Sequence, residues 1–326
     1  MKKILVTGGA GYIGSHIVEL LIKKKVKVTI LDNLSTGYKK LINKNIEFIK
    51  GDIKNLNILK KIIKEKKIRS IIHLAACLNV KEAELKPKKY YKNNVLGTLN
   101  LVKACKNSMV KNIIFSSSCS IYGNVKGGIV SEKKKPNPQG KYALSKLDGE
   151  NIIKKYSTKN NYKYVILRYF NVVGASESGK IGEIETSHNH LFKNIAIASL
   201  KKKPIINIFG KNYNTPDGTC ERDYVHVVDL SQVHIKCLEK INSSRKSITL
   251  NCGYGKGISV LEVVKKLKKI QKKKIIINFK KPRLGDIGKV YSDTSKLKKF
   301  VNWKPKYNNL ELMLKSAIKW EKKLKI

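Results

Sequence analysis

The chain has 326 residues, enough for a large core, and its 41% hydrophobic content excludes wholesale disorder. Its formal charge of +46 would by itself suggest a nucleic-acid binder. The excess is nearly all Lys, scattered among Ile and Asn as an A/T-rich codon bias would scatter it, and Arg occurs only at Arg69, Arg168, Arg222, Arg245 and Arg283.

The six cysteines (Cys77, Cys105, Cys119, Cys220, Cys237, Cys252) form no C-x-x-C pair, which argues against a disulfide framework or zinc site and for a reducing cytoplasm. Only Ile4-Leu5-Val6 follow the basic start, far short of a signal-peptide apolar region, and no run reaches the length of a membrane span. From the N-terminus, β-branched runs predict strands at Lys3–Val6, Val26–Leu31, Ile46–Ile49, Ser70–Leu74, Asn112–Ser116 and Tyr164–Arg168. Helical patterns separate them, beginning with Ile13, Ile17, Leu20 and Leu21. Alternating strands and helices imply parallel pairing, hence an α/β fold with a doubly wound, Rossmann-like sheet.

After Phe170 the alternation weakens. Polar, glycine-containing loops at Gly174–Gly182 and Lys211–Gly218 precede a strand-like run, Tyr224–Val228, and a helix near Val233–Lys240. A helix at Val260–Lys269, a strand at Lys274–Phe279 and a terminal helix from Leu310 follow. The expected division is a dinucleotide-binding domain over 1–170, with a returning segment at about 224–250, and a smaller α+β substrate-binding domain from 171–223 and 251–326.

Thr7-Gly8-Gly9-Ala10-Gly11-Tyr12-Ile13-Gly14 directly follows the first strand and opens the first helix. In that context the glycines form a phosphate cradle. Gly8 permits the turn, Gly11 removes a Cβ from the path of a pyrophosphate, and Gly14 lets helix and strand approach. The helix start offers N–H groups to the anion. Asp32, ending the second strand, suits the ribose hydroxyls and repels a 2′-phosphate, which favours NAD over NADP. Asp52 in Gly51-Asp52-Ile53 fits either an adenine contact or a plain turn.

Tyr142 and Lys146 stand four apart, on one face of a helix. A phenol of pKa about 10 needs roughly 4 kcal/mol of differential stabilisation to act as a base near neutrality. A neighbouring ammonium and a nicotinamide cation both act in that direction. The hydroxyl-rich run Ser116-Ser117-Ser118 ends the fifth strand, where ligand crevices of such sheets open.

With these motifs the chain resembles the extended short-chain dehydrogenase/reductase family, and within it the UDP-glucose (UDP-galactose) 4-epimerases. The matching stretches run nearly end to end: TGGAGYIGSH, LDNLSTG, GDI, NNVLGTLNL, FSSSCSIYG, YALSK, LRYFNVVGA, GTCERDYVHVVDL and RLGD. The resemblance implies that Tyr142 is the catalytic base, Lys146 its electrostatic partner and Ser118 the catalytic hydroxyl. It places NAD against Tyr12, Ile13, Asn33, Ile53, Leu74, Ala75, Asn93, Ser116, Tyr142, Lys146 and Phe170 as well as the glycines and aspartates above. It assigns the UDP-sugar to Asn171, His190, Leu191, Arg222, Arg283 and Asp286 together with Ser118 and Tyr142. A homodimer is implied, with no membrane and no specific nucleic acid as partner.

Leu78, Lys141, Val172 and His190 depart from the family's commoner residues, which puts fine affinity and specificity in question but not the reaction class. His188 and His190 form an H-x-H without further ligands, so no metal site is expected. Val290 stands where the family approaches the sugar's C2 substituent, and its small size suggests tolerance of N-acetylated sugars. The Ser-Ser-Ser run lacks the acid pair of the family's sugar 4,6-dehydratases, while a UDP-N-acetylglucosamine or UDP-glucuronate epimerase, or a decarboxylase, remains the alternative.

Overall fold

The computed structural model describes residues 3–125, 127–184, 190–244, 246–283 and 286–324. Its main sheet has seven parallel strands: β1 (Ile4–Thr7), β2 (Val28–Asp32), β3 (Glu47–Lys50), β4 (Ser70–His73), β5 (Asn112–Ser118), then Lys163–Tyr169 and Ile248–Cys252. In space they run Ile248–Cys252, Lys163–Tyr169, β5, β4, β1, β2, β3. The six expected strands are present with ends displaced by one or two residues. The Tyr224–Val228 run contributes only a short strand, Tyr224–His226, paired with Asn171–Val173 outside the main sheet. The seventh place is taken by Ile248–Cys252, whose short apolar run gives little signal by itself.

Successive strand residues face opposite sides, so each strand feeds two apolar layers. Val6, Ile30, Ile72, Ile114, Val165 and Leu250 meet α1 (Tyr12–Lys23) and the helix Val227–Ser243. Leu5, Leu31, Ile71, Ile113 and Ile166 meet α2 (Leu56–Glu65) and the helices Gly97–Ala104 and Lys141–Asn160. Burial on both faces accounts for the near-continuous apolar strands.

The chain lays β2 and β3 on one side of β1, then crosses back to place β4 on the other. The crevice at such a reversal, beyond the carboxyl ends, is where ligands of these sheets sit. Smaller sheets build the remainder. One holds Ile258–Ser259, Glu221–Arg222, Lys289–Ser292 and Ile129–Val130; another pairs Ile205–Phe209 with Ile276–Lys280.

Two buried carboxylates bind the later segments together. Asp223 accepts from the backbone N–H groups of Tyr254 (2.7 Å), Gly255 (2.9 Å) and Ser292 (3.0 Å) and from the Ser292 hydroxyl. Asp229 accepts from the Tyr254 hydroxyl (2.6 Å) and from the N–H groups of Lys306 and Tyr307. Much of the GTCERDYVHVVDL stretch is thus occupied with holding the chain to itself. Each buried donor left without an acceptor costs about 1–3 kcal/mol. Asp223→Ala strands several, so unfolding by denaturant should show a loss of at least about 3 kcal/mol. A loss below about 1 kcal/mol would show that water replaces the carboxylate there.

Candidate active site

The glycine turn is set by contacts that a side chain would destroy. Gly8 has φ +74°, and a Cβ on it would lie 2.6 Å from the Ala75 nitrogen. A Cβ on Gly14 would lie 2.2 Å from the Gly8 carbonyl oxygen. A Cβ on Gly11 meets only that oxygen, at 3.3 Å, so its other side is open. No side chain caps the start of α1 and no acidic residue occupies its first turn, which leaves its N–H groups to an anion. Tyr12, on the same turn, donates its hydroxyl to the Gly174 carbonyl at 2.6 Å, and Ile13 lies half-buried against the core.

Asp32 is buried at the end of β2, where one carboxylate oxygen accepts the Ala10 N–H (2.9 Å) and the other the Leu34 N–H (2.8 Å). Burial lifts its carboxyl above the ordinary range, against those two hydrogen bonds. A carboxylate has about four acceptor positions, so Asp32 caps the turn and still keeps acceptor capacity for ribose hydroxyls. Asn33 donates to Asp52 at 3.0 Å, and the Lys54 N–H reaches the other Asp52 oxygen. The pair lies beside an open cleft of about 530 Å³ lined by Asp52, Lys54, Asn55, Leu56 and Asn57. Ile53 is buried against Gly97, and Phe170 is buried with Ile121, Tyr122, Val130 and Val290, so both are walls. Glycines, uncapped helix start and Asp32 together fit a dinucleotide.

Leu74 and Ala75 follow β4, with the Leu74 N–H bonded to the Thr7 carbonyl. A π-helical turn, Tyr91–Leu96, lies nearby; such turns often mark functional sites. Asn93 is half-buried on it. Its neighbour Asn94, which the motifs alone did not distinguish, is the buried anchor: its amide bridges Cys77 and Ser145. Thr98 donates to the Asn94 carbonyl and therefore accepts from His73 Nε2, which leaves His73 Nδ1 to accept from Thr7. Burial first, and the Lys146 charge second, hold His73 down to about 3, so it stays neutral.

Tyr142 and Lys146 lie on the buried face of the Lys141–Asn160 helix, which packs on β5. Gly149 makes the approach possible, since a Cβ there would lie 2.7 Å from the Phe115 ring. Ser118, at the end of β5, lies beside the Tyr142 phenol and accepts the Ser120 N–H at 3.2 Å. Ser116 sits two residues back, near Tyr169, whose hydroxyl bonds His234. The Lys146 ammonium lies 5.2 Å over the Phe115 ring. Burial pushes the Tyr142 phenol up to about 12, and Ser118 offsets only part of that. Burial in turn brings Lys146 down to about 8, opposed by Glu150 and Cys77. A positive charge brought beside the phenol by a bound cofactor would act against its burial.

Across the crevice, Asn171 is exposed, its N–H bonded to the Asp223 carbonyl. The charge of Arg222 acts on Cys119 and on Tyr213, an aromatic the sequence motifs did not single out. Arg283 pairs with Asp286 at 3.0 Å and stacks 4.8 Å over Phe209. His190 stands just before the helix Leu191–Ser199, without a side-chain capping bond, and pairs with Glu183. Burial opposes its imidazolium, but Glu183 outweighs burial and holds it above the usual histidine range. Leu191 is half-buried at the helix start. Of the departing residues, Leu78 and Lys141 are exposed and Val172 pairs with Val225. His188 lies outside the described residues, as do Leu284 and Gly285 of the RLGD stretch. Among the described residues no three His, Cys, Asp or Glu side chains gather as metal ligands.

Residues 4–253 match the model of the NAD dependent epimerase/dehydratase family. A UDP-glucose 4-epimerase of Pasteurella multocida is 40% identical over 333 residues, covering 98% of this chain and 97% of that one. A UDP-glucose 4-epimerase of Stenotrophomonas maltophila, solved with bound NAD and formylated UDP-arabinopyranose, superposes with a TM-score of 0.95 at 31% identity, covering 100% of this chain and 99% of that one. The UDP-Glc/GlcNAc 4-epimerase of Campylobacter jejuni gives 0.86 at 37% identity, with 99% and 100% covered.

The Asp32 geometry predicts cofactor choice. Asp32→Asn keeps an acceptor but removes the charge, so NAD affinity should fall about tenfold and the preference over NADP should narrow by 10-fold or more. Calorimetric titration with both dinucleotides reads this directly, and an unchanged preference would take Asp32 off the ribose.

Proposed function

The chain belongs to the NAD dependent epimerase/dehydratase family, in its UDP-glucose 4-epimerase branch, and from that premise we propose how its residues divide the work. The reaction is interconversion of UDP-glucose and UDP-galactose by an NAD-dependent isomerase. The observation that carries the assignment is the placing of Tyr142 and Lys146, one turn apart on the Lys141–Asn160 helix, beside Ser118 at the carboxyl end of β5. Gly8, Gly11, Gly14, Asp32, Asp52 and Asn93 would hold the dinucleotide. Bound there, NAD supplies reversible hydride transfer at the sugar's C4.

Tyr142, in hydrogen-bond reach of Ser118, takes the proton of the 4-hydroxyl and later returns it. Ser118 donates to the phenolate and steadies the hydroxyl. Arg222 and Arg283 face the diphosphate, Asp286 the uridine ribose, and Asn171, His190 and Leu191 the remaining length. Anchoring UDP away from C4 leaves the sugar free to present either face, which inversion requires. The seven-stranded domain, 1–170 with the returning segment at about 224–250, carries the dinucleotide. Segments 171–223 and 251–326 carry the UDP-sugar. Val290 is small and aliphatic where the sugar's C2 group approaches, which supports turnover of N-acetylated substrates.

Among the described residues no helix is long and apolar enough to cross a membrane, and all six cysteines are free, which suits a cytoplasmic enzyme. A second copy of the chain is the expected partner. Tyr91 (52% exposed) and Leu144 (43%) border a groove of about 420 Å³ between Pro87–Leu96 and the Lys141–Asn160 helix.

With UDP-galactose as sole sugar, the protein should form UDP-glucose without net redox. Tyr142→Phe should lower kcat by a factor of 10² or more while UDP binding survives. Near-normal turnover in that variant would remove Tyr142 from proton transfer. Leu144→Arg should convert a dimer to monomer in sedimentation; an unchanged sedimentation coefficient would move the interface elsewhere.

A further inference from the structure

Lys146 presents a problem that the reaction scheme leaves open. Its ammonium is buried, and among the described residues no carboxylate lies within ion-pairing distance of it. Burying an unpaired ammonium favours loss of its proton. The groups whose charge reaches it are few. On its own helix there is Glu150; after β4 there is Cys77; and His73 on β4 is neutral. The Phe115 ring contributes a cation–π contact from β5. The thiol of Cys77 is pushed up from its ordinary value, chiefly by burial, and so supplies little charge near neutral pH. That leaves Glu150, one turn beyond Lys146, as the anion that opposes the burial.

Glu150 is itself fully buried, and its bonds explain how a carboxylate stays ionised there. Arg168 grips it with two parallel hydrogen bonds, Nε to Oε1 at 2.8 Å and Nη2 to Oε2 at 2.7 Å. Ser117 donates to Oε1 at 2.6 Å, and Lys154 reaches Oε2 at 3.2 Å from the helix surface. Against the lift of burial, these partners hold its carboxyl below the ordinary range. Arg168 is satisfied in turn by the Tyr122 hydroxyl, which donates to Asn251 on the strand Ile248–Cys252. Ser117 precedes Ser118, so one carboxylate ties the helix carrying Tyr142 and Lys146 to the strand end carrying the third catalytic group.

We propose that Glu150 is a positioning residue for catalysis: clamped by Arg168 and Ser117, it supplies the negative charge that keeps Lys146 an ammonium and fixes the Tyr142–Lys146 helix against the Ser118 end of β5. The proposal rests on the assignment of Tyr142 and Lys146 as the proton-transfer pair. Lys146 is effective while charged, so its contribution is present below the pH at which it loses its proton and disappears above. Removing the Glu150 charge moves that boundary down.

The test is the pH dependence of kcat in the NAD-loaded enzyme together with the pH dependence of NAD affinity by calorimetry. It compares the unaltered chain with Glu150→Gln, Glu150→Gln/Arg168→Met and Lys146→Met. The double variant removes both buried charges and leaves no unpaired ion, so it keeps the question answerable if the single variant fails to fold. The alkaline decline of both quantities should move to lower pH by about one unit or more in either Glu150 variant. It should vanish in Lys146→Met. Folded Glu150 variants that lose activity evenly at all pH values, with the decline unmoved, would overturn the proposal and reduce Glu150 to packing. A Lys146→Met variant that retains the unaltered decline would overturn the proposal together with the assignment beneath it.

Discussion

The constraint on which the rest depends is the close approach of the Lys141–Asn160 helix to β5. Gly149 lies against the Phe115 ring with no room for a Cβ, and the helix face that turns inward carries Ala143, Lys146, Glu150 and Ile153. A purely apolar face would pack as well or better, since burying ions rarely stabilises a fold. Retaining Lys146 and Glu150 there places a cation and an anion one turn apart beneath the crevice. The Arg168 fork and Ser117 then make that arrangement tolerable.

Burial acts on the two proposed proton-transfer groups in opposite senses. It lifts the Tyr142 phenol and lowers the Lys146 ammonium, because each charged form is disfavoured away from water. A positively charged nicotinamide bound beside the phenol would act against that burial and favour its ionised form.

The same economy of charge appears away from the chemistry. Asp223 and Asp229 each gather several donors in the interior and help hold distant segments together. The Lys excess, by contrast, is carried largely on the surface, where ion pairs such as Lys24–Glu239 and Lys89–Glu82 are exposed and contribute little. Few arginines punctuate the chain, and two of the five are used where a forked or stacked guanidinium matters: Arg168 on Glu150, and Arg283 on Asp286 and Phe209.

The first six strands of the sheet, the glycine turn and the Tyr142–Lys146 pair were legible in the sequence because each is local. A strand needs a run of β-branched residues, a tight turn needs glycine at one position, and residues four apart share a helix face. Which residues serve each other across the fold was not legible. Asn94 anchoring Cys77 and Ser145, Tyr213 beside Arg222, and Ile248–Cys252 as the seventh strand depend on contacts between distant segments. Glu150 was visible as the third member of a Tyr-x-x-x-Lys-x-x-x-Glu spacing, but its meaning required Arg168 and Ser117 from neighbouring strands. The sign of the Tyr142 shift was likewise a tertiary matter. Local spacing places an ammonium near a phenol; how much water the fold removes from each, and which charges it brings from elsewhere, decides whether that nearness makes a base.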